Sequence, residues 1–195
     1  MLRNIIYTIL ISVIYCDEYL RSSDCDIKHV IKGTQKVKVA DCSDRGLTFI
    51  PQTLPGDITV LDQRSNLLTR IENNSFVNYK TLSFLAIDMM PRPHFGIGFS
   101  RISNLKELHF ESCYLVILSN KTLQTCSTSI EELTLRNCRL HFGIKEEFAL
   151  LPFPRLRNID FSGTFMHLKP VLQLLWPFSN VNITTINFGQ LMTSV

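Results

Sequence analysis

The chain of 195 residues carries 20 Lys plus Arg against 17 Asp plus Glu, a formal net charge of +3, and is 45% hydrophobic. That near balance gives no field for steering nucleic acid or a membrane surface, and the apolar share is too high for a disordered chain. The length allows one domain with a sizeable core.

Residues 1–16, MLRNIIYTILISVIYC, place Arg3 before an apolar run too short to span a bilayer, with acidic Asp17 and Glu18 after it. This is the pattern of a secretory leader cut after Cys16, although Ile14 and Cys16 are not the ideal small-x-small pair, and an uncleaved anchor is the alternative reading. Its removal leaves 19 Lys plus Arg against 17 Asp plus Glu, a net of +2 (19 − 17). The leader sends the chain into the secretory pathway, as an extracellular or endosomal-lumenal ectodomain or a secreted protein. There cysteines oxidise. Five remain, Cys25, Cys42, Cys113, Cys126 and Cys138, so an odd one stays free or pairs with another chain.

Residues 17–57 read as an N-terminal cap. Cys25 and Cys42 flank a segment where Val37 and Val39 alternate with Lys36 and Lys38, a half-buried strand. A disulfide between them closes a loop and contributes about 3 kcal/mol on the chain-entropy estimate. Leu47, Ile50 and Pro51 form a truncated first coil, and Leu54 and Pro55 lead out of it.

From Ile58 one pattern recurs: ITVLDQRSNLL, LSFLAIDMMPR, LKELHFESCYL, IEELTLRNCRL, LRNIDFSGTFM and ITTINFGQLMT, starting at 58, 82, 105, 130, 156 and 183. Of the 24 places at its positions 1, 4, 6 and 11, 21 hold Leu, Ile, Phe or Met, the exceptions being Gln63, Arg92 and Thr193. Chance would fill about 11. The pattern is LxxLxLxx(N/C)xL, the leucine-rich repeat signature, with a period of 23 to 27 residues. The expected fold is α/β: a leucine-rich repeat solenoid forming a curved horseshoe segment, with a parallel concave sheet and a convex side of irregular loops and short helices. Positions 4 and 6 face the core. Position 9 also turns inward, where Asn66 can bond the turn backbone and Cys113 and Cys138 act as small fillers. The two cysteines read as buried free thiols, a bridge between them being geometrically open; Cys126 is the candidate for the unpaired one. Met90, Thr164 and Leu191 depart from Asn or Cys, so this bonding ladder is expected to be patchy.

On the convex side Ile71 and Phe76, and again Leu118 and Leu123, are set to pack the returning chain. In the second repeat Pro91 and Pro93 argue against regular pairing, and Gly96 with Gly98 marks a distorted loop, not a nucleotide site. IKEEFALL before Pro152 and VLQLLW after Pro170 read as short convex helices, with Trp176 and Phe178 packing between coils. Asn73, Asn120 and Asn182 head glycosylation sequons. No cysteine-rich C-terminal cap is seen before Val195, which reads as a fragment or a short form.

The run of a Cys followed by LxxIPxxLPxxIxxL, Leu47 to Leu61 here, resembles the N-terminal cap of Toll-like receptor ectodomains, with two cysteines in place of the dense cluster of matrix repeat proteins. The resemblance implies an innate immune pattern-recognition receptor that dimerises. The partner would be a protein or microbial-pattern ligand. The alternatives are a secreted matrix or adhesion protein and a soluble decoy of a receptor. A membrane would be reached only through a segment downstream.

Outward positions 3, 5, 7 and 8 line the concave strip, where Asp62, Asp88, Glu107, Glu111, Glu132 and Asp160 outnumber Arg64 and Arg136. This acidic strip argues against binding a phosphate backbone. The candidate binding face is Arg64, Asp88, Glu107, His109, Glu111, Glu132 and Arg136. His109, between Glu107 and Glu111, is expected to be held protonated by them. His29, His94, His141 and His167 lack metal spacing, and no catalytic motif appears, so neither metal, cofactor nor enzymatic activity is expected.

Overall fold

A computed structural model describes residues 25–88, 94–95, 102–112, 128–138, 153–164, 166–167, 175, 178–188 and 191–192. Among them the strands are β1 (Asp26–Lys32), β2 (Gln35–Asp41), β3 (Val60–Gln63), β4 (Arg70–Ile71), β5 (Phe84–Asp88), β6 (His94–Phe95), β7 (Glu107–Glu111), β8 (Glu132–Arg136), β9 (Asn158–Phe161), β10 (Met166–His167), β11 (Thr185–Phe188) and β12 (Leu191–Met192). Eight of these join in one sheet in the order β1-β2-β3-β5-β7-β8-β9-β11. β1 and β2 form an antiparallel hairpin that turns at Gly33, where φ is 64°. From β2 onward each neighbour is parallel. Parallel neighbours need a crossover of a dozen residues or more, and the repeat period supplies it.

Each strand from β3 through β11 in that sheet begins two residues after a signature start. Register then stacks Leu61, Leu85, Leu108, Leu133, Ile159 and Ile186 in one column. The first five are 0 to 2% exposed, whereas Ile186 on the last strand of the sheet is 37% exposed. A second buried column holds Ile87, Phe110, Leu135 and Phe161, headed by Gln63, whose buried side-chain nitrogen has no partner. Stacking is what buries these faces, since a lone coil would leave them wet.

The cap is closed by a disulfide between Cys25 and Cys42. Leu47, Ile50, Pro51 and Leu54 are buried behind it, and the Tyr79 hydroxyl donates to the Pro51 carbonyl. Ile71 and Phe76 pack the convex side of the first coil, and Phe178 stacks on Phe153 with centroids 6.0 Å apart. Leu175 of the second expected helix is helical; the rest of that helix, the first expected helix, Trp176, Leu118, Leu123 and the leader lie outside the described residues.

Asn66 binds the turn as expected: its Oδ1 accepts the Arg45 and Leu47 amides at 3.1 and 2.9 Å, and its Nδ2 donates to the Cys42 and Gln63 carbonyls at 2.8 and 3.0 Å. Thr164 keeps the same ladder, accepting the Cys138 amide at 3.1 Å and donating to the Leu135 carbonyl. A further regularity is conformational. Position 8 is left-handed at Ser65, Ser112, Asn137 and Gly163, with φ between 52° and 68°.

Two expectations are corrected. Pairing resumes directly after Pro93, where β6 runs parallel to β4, because the residues beyond a proline regain their amide donors. Cys138 is not a free thiol. It is disulfide-bonded, to a sulfur outside the described residues. The oxidising compartment that the leader implies favours the bridged form of a sulfur over the free thiol. Cys113 and Cys126 lie outside the described residues.

Candidate functional site

Register fixes which side chains share the concave face. Glu107 faces Glu132, His109 faces Thr134 and Glu111 faces Arg136 across β7 and β8, while Asp62 and Ala86 continue the middle row toward the cap. Arg64, Asp88, Glu107, His109, Glu111, Glu132 and Arg136 all stand on this face, in two clusters.

The first cluster is an ion-pair network. The Arg64 guanidinium holds Asp62 at 2.6 Å and reaches Glu111 at 3.2 Å, and these carboxylates, Asp62 foremost, hold it firmly protonated. Arg64 therefore passes the intervening coil. The reason is that the Asp88 carboxylate turns to accept the Ser65 amide, while Ala86 leaves the row open. Burial pushes the Asp88 carboxyl above its ordinary range, and Glu111 adds to the effect. Arg136 holds Asp160 at 2.6 Å and approaches Glu111 at 3.9 Å, so Glu111 sits between both arginines. Burial raises the Asp160 carboxyl, but the Ser162 hydroxyl and amide, at 2.6 and 2.8 Å, and Arg136 outweigh it and hold it low.

The second cluster is Glu107, His109, Glu132 and Thr134. The His109 side chain is only 15% exposed, and its ring leans on Phe84 with centroids 4.6 Å apart. Nε2 lies 3.2 Å from Glu132 Oε1, but the two are not aligned as a hydrogen bond, and this buried nitrogen has no other partner. Burial favours the neutral imidazole more strongly than Glu132 and Glu107 favour the charged one. The expectation that neighbouring acids hold His109 protonated is thus corrected: desolvation wins. Thr134, beside it, is fully buried with an unpartnered hydroxyl. Glu107 receives Lys32 from the tip of the cap hairpin at 3.2 Å. One donor atom each from Glu107, His109 and Glu132 lie within 4.8 Å of one another.

Away from the strip, Asn73 and Asn182 are exposed, as an acceptor for a glycan requires, and Asn120 lies outside the described residues. An open groove lined by Glu131, Arg155, Arg157, Asn182 and Thr184 runs along the sheet edge.

No family model matches the chain. Over 51 residues it is 41% identical to decorin of Homo sapiens and 43% identical to biglycan of Xenopus laevis. Each match covers 26% of this chain and 14% of the relative, so the chain spans a small part of their length. Among solved structures, human 5T4 (Wnt-activated inhibitory factor 1, trophoblast glycoprotein) is similar at a TM-score of 0.39 and 14% identity over 77% of each chain, a likeness too low to carry a structural inference. The strand register and the buried columns are those of a leucine-rich repeat solenoid. The chain is an extracellular leucine-rich repeat protein.

In this leucine-rich repeat protein the repeat period places Glu107, His109 and Glu132 on one face, with Glu132 one period, 25 residues, beyond Glu107 and opposite it in register. What the period does not show is that His109 is largely buried there with its Nε2 left without a hydrogen bond.

Proposed function

We propose that this extracellular leucine-rich repeat protein is a recognition module, with a leader over residues 1–16, a cap over 17–57 and repeats from 58, whose concave strip binds a protein partner presenting a basic surface. The observation that carries the reading is the strip itself. Six acids stand against two arginines in a chain of net positive charge, and cross-coil ion pairs hold Arg64 and Arg136 in place before any partner arrives. Preorganised charge of this kind favours specificity and fast association. Among the described residues nothing in the strip is arranged as a nucleophile with its base, so binding is the chemistry supported. The decorin and biglycan matches favour a secreted matrix or adhesion module; the two-cysteine cap is what supports the second reading, the N-terminal part of a Toll-like receptor.

The test is affinity capture from solubilised extracellular matrix and from intact cell surfaces. The wild-type chain is compared with Glu107→Lys/Glu111→Lys/Glu132→Lys and with Glu72→Lys, a charge outside the strip. Partners captured by the wild type and by the Glu72 variant, but lost with the triple variant and at raised salt, are the expected result. Equal capture by all three proteins overturns it.

A further inference from the structure

We propose that Glu107, His109 and Glu132 form a binding site for one divalent transition-metal ion of the zinc class, set between the third and fourth coils on the concave face. The assignment goes beyond the recognition reading and stands without it.

The donor set is one imidazole nitrogen and two carboxylate oxygens, which suits zinc and leaves the fourth tetrahedral position to a water molecule. The geometry is near what an ion needs. Ligand atoms at about 2.0 to 2.2 Å from zinc in a tetrahedral arrangement stand about 3.4 Å apart. Here Nε2 and the Glu132 oxygen are already 3.2 Å apart, and the full set lies within 4.8 Å. Rotation of the Glu107 side chain closes the difference.

Three features of the bare protein are unfavourable unless a cation sits there. Glu107 and Glu132 are directly opposite in register, an arrangement in which like charges repel. His109 Nε2 is buried against a carboxylate without a hydrogen bond, although buried polar atoms are nearly always satisfied. The neighbouring Thr134 is fully buried and its hydroxyl is a second orphan on the same patch. One ion answers the first two directly and brings a polar shell beside the third. The Phe84 ring fixes the imidazole plane, as a ligating histidine requires. Lys32 is the competing cation. It reaches Glu107 from the cap hairpin, but its side chain is 72% exposed and is not locked in place.

The experiment titrates zinc chloride into the secreted, disulfide-intact chain by calorimetry and follows cobalt(II) by its visible ligand-field bands. One saturable zinc ion and a cobalt spectrum with nitrogen and oxygen ligation are expected. His109→Gln and Glu132→Gln should each weaken binding at least about tenfold, while thermal unfolding of the metal-free protein stays within a few degrees of wild type. Lys32→Ala should bind more tightly, since it removes the competitor. If His109→Gln disturbs folding, Glu107→Gln reads the same loss from a half-buried side chain that is less enclosed than the imidazole. Absence of saturable binding overturns the site. So does binding unchanged in both glutamine variants, which would place the ion at histidines elsewhere. Partner capture is not part of the readout, so either failure leaves the recognition reading intact.

Discussion

The amide of Asn66 satisfies four backbone groups at once, two donors and two acceptors, in the turn that joins the cap to the first coil. Replacing it by Ala leaves those groups without partners where water reaches poorly, at a cost of about 3 kcal/mol. Urea unfolding should show a lower midpoint at unchanged slope for Asn66→Ala. Asn66→Asp should fall between, because it keeps the accepted bonds and loses the donated ones. Asn66 was legible in the sequence because an amide at position 9 has one evident job. Thr164 was not: its hydroxyl looks like a departure from the pattern, yet it accepts from Cys138 and donates to Leu135, doing with one oxygen part of what an amide does with two atoms. His109 was misread for a different reason. Its charged neighbours are visible in the sequence, whereas the burial that overrides them depends on how Phe84 and Glu132 from other coils close over it.

At the scale of elements, the six strands were legible because position 4 is apolar in every copy and position 6 in all but the first, where Gln63 stands, at a nearly fixed period. The turn after each strand carried no such signal. Its position 8 is left-handed whether the residue is Ser65, Ser112, Asn137 or Gly163, so the conformation is imposed by the coil and tolerated by the residue. Gly163→Ala should therefore destabilise by about 1 to 2 kcal/mol, read as a lower thermal midpoint, and the Asn137 side chain, whose Oδ1 lies 2.0 Å from where the new methyl would sit, has to move as well. The cap hairpin was half legible. β2 alternates and buries Ala40, but β1 is exposed along its whole length and gives no pattern to read. What ties β1 down is pairing with β2 and the Cys25 to Cys42 bond. The double variant Cys25→Ser/Cys42→Ser should lose about 3 kcal/mol. Hydrogen exchange should show the loss as faster opening of residues 26–41 while β7 and β8 keep their protection.

Across the whole molecule, the same sheet face holds carboxylates of opposite character, and this sets how the protein meets acid. Asp41 is held below its ordinary range, chiefly by the Ser43 hydroxyl, and Asp160 is held low by Ser162 and Arg136 against the effect of burial. A carboxyl lowered in the folded state contributes stability that is present above the unfolded value, about 3.9, and is lost as pH falls through the folded one. Asp88 is raised by burial, so its sign is reversed: charging it costs the folded state, and protonation relieves that cost before the other two begin to titrate. Denaturant midpoints measured from about pH 6 down to about pH 2 should fall steeply at the acid end for wild type. Asp41→Asn/Asp160→Asn should flatten that limb, because the lost interactions no longer depend on ionisation. Asp88→Asn should leave the limb at least as steep while raising stability near neutral pH, since its amide oxygen can still accept the Ser65 amide without the burial of a charge. The two outcomes together separate depressed from raised carboxylates in one strip, a distinction that residue type and period alone cannot supply, because it is decided by which side chain each carboxylate meets across the coils.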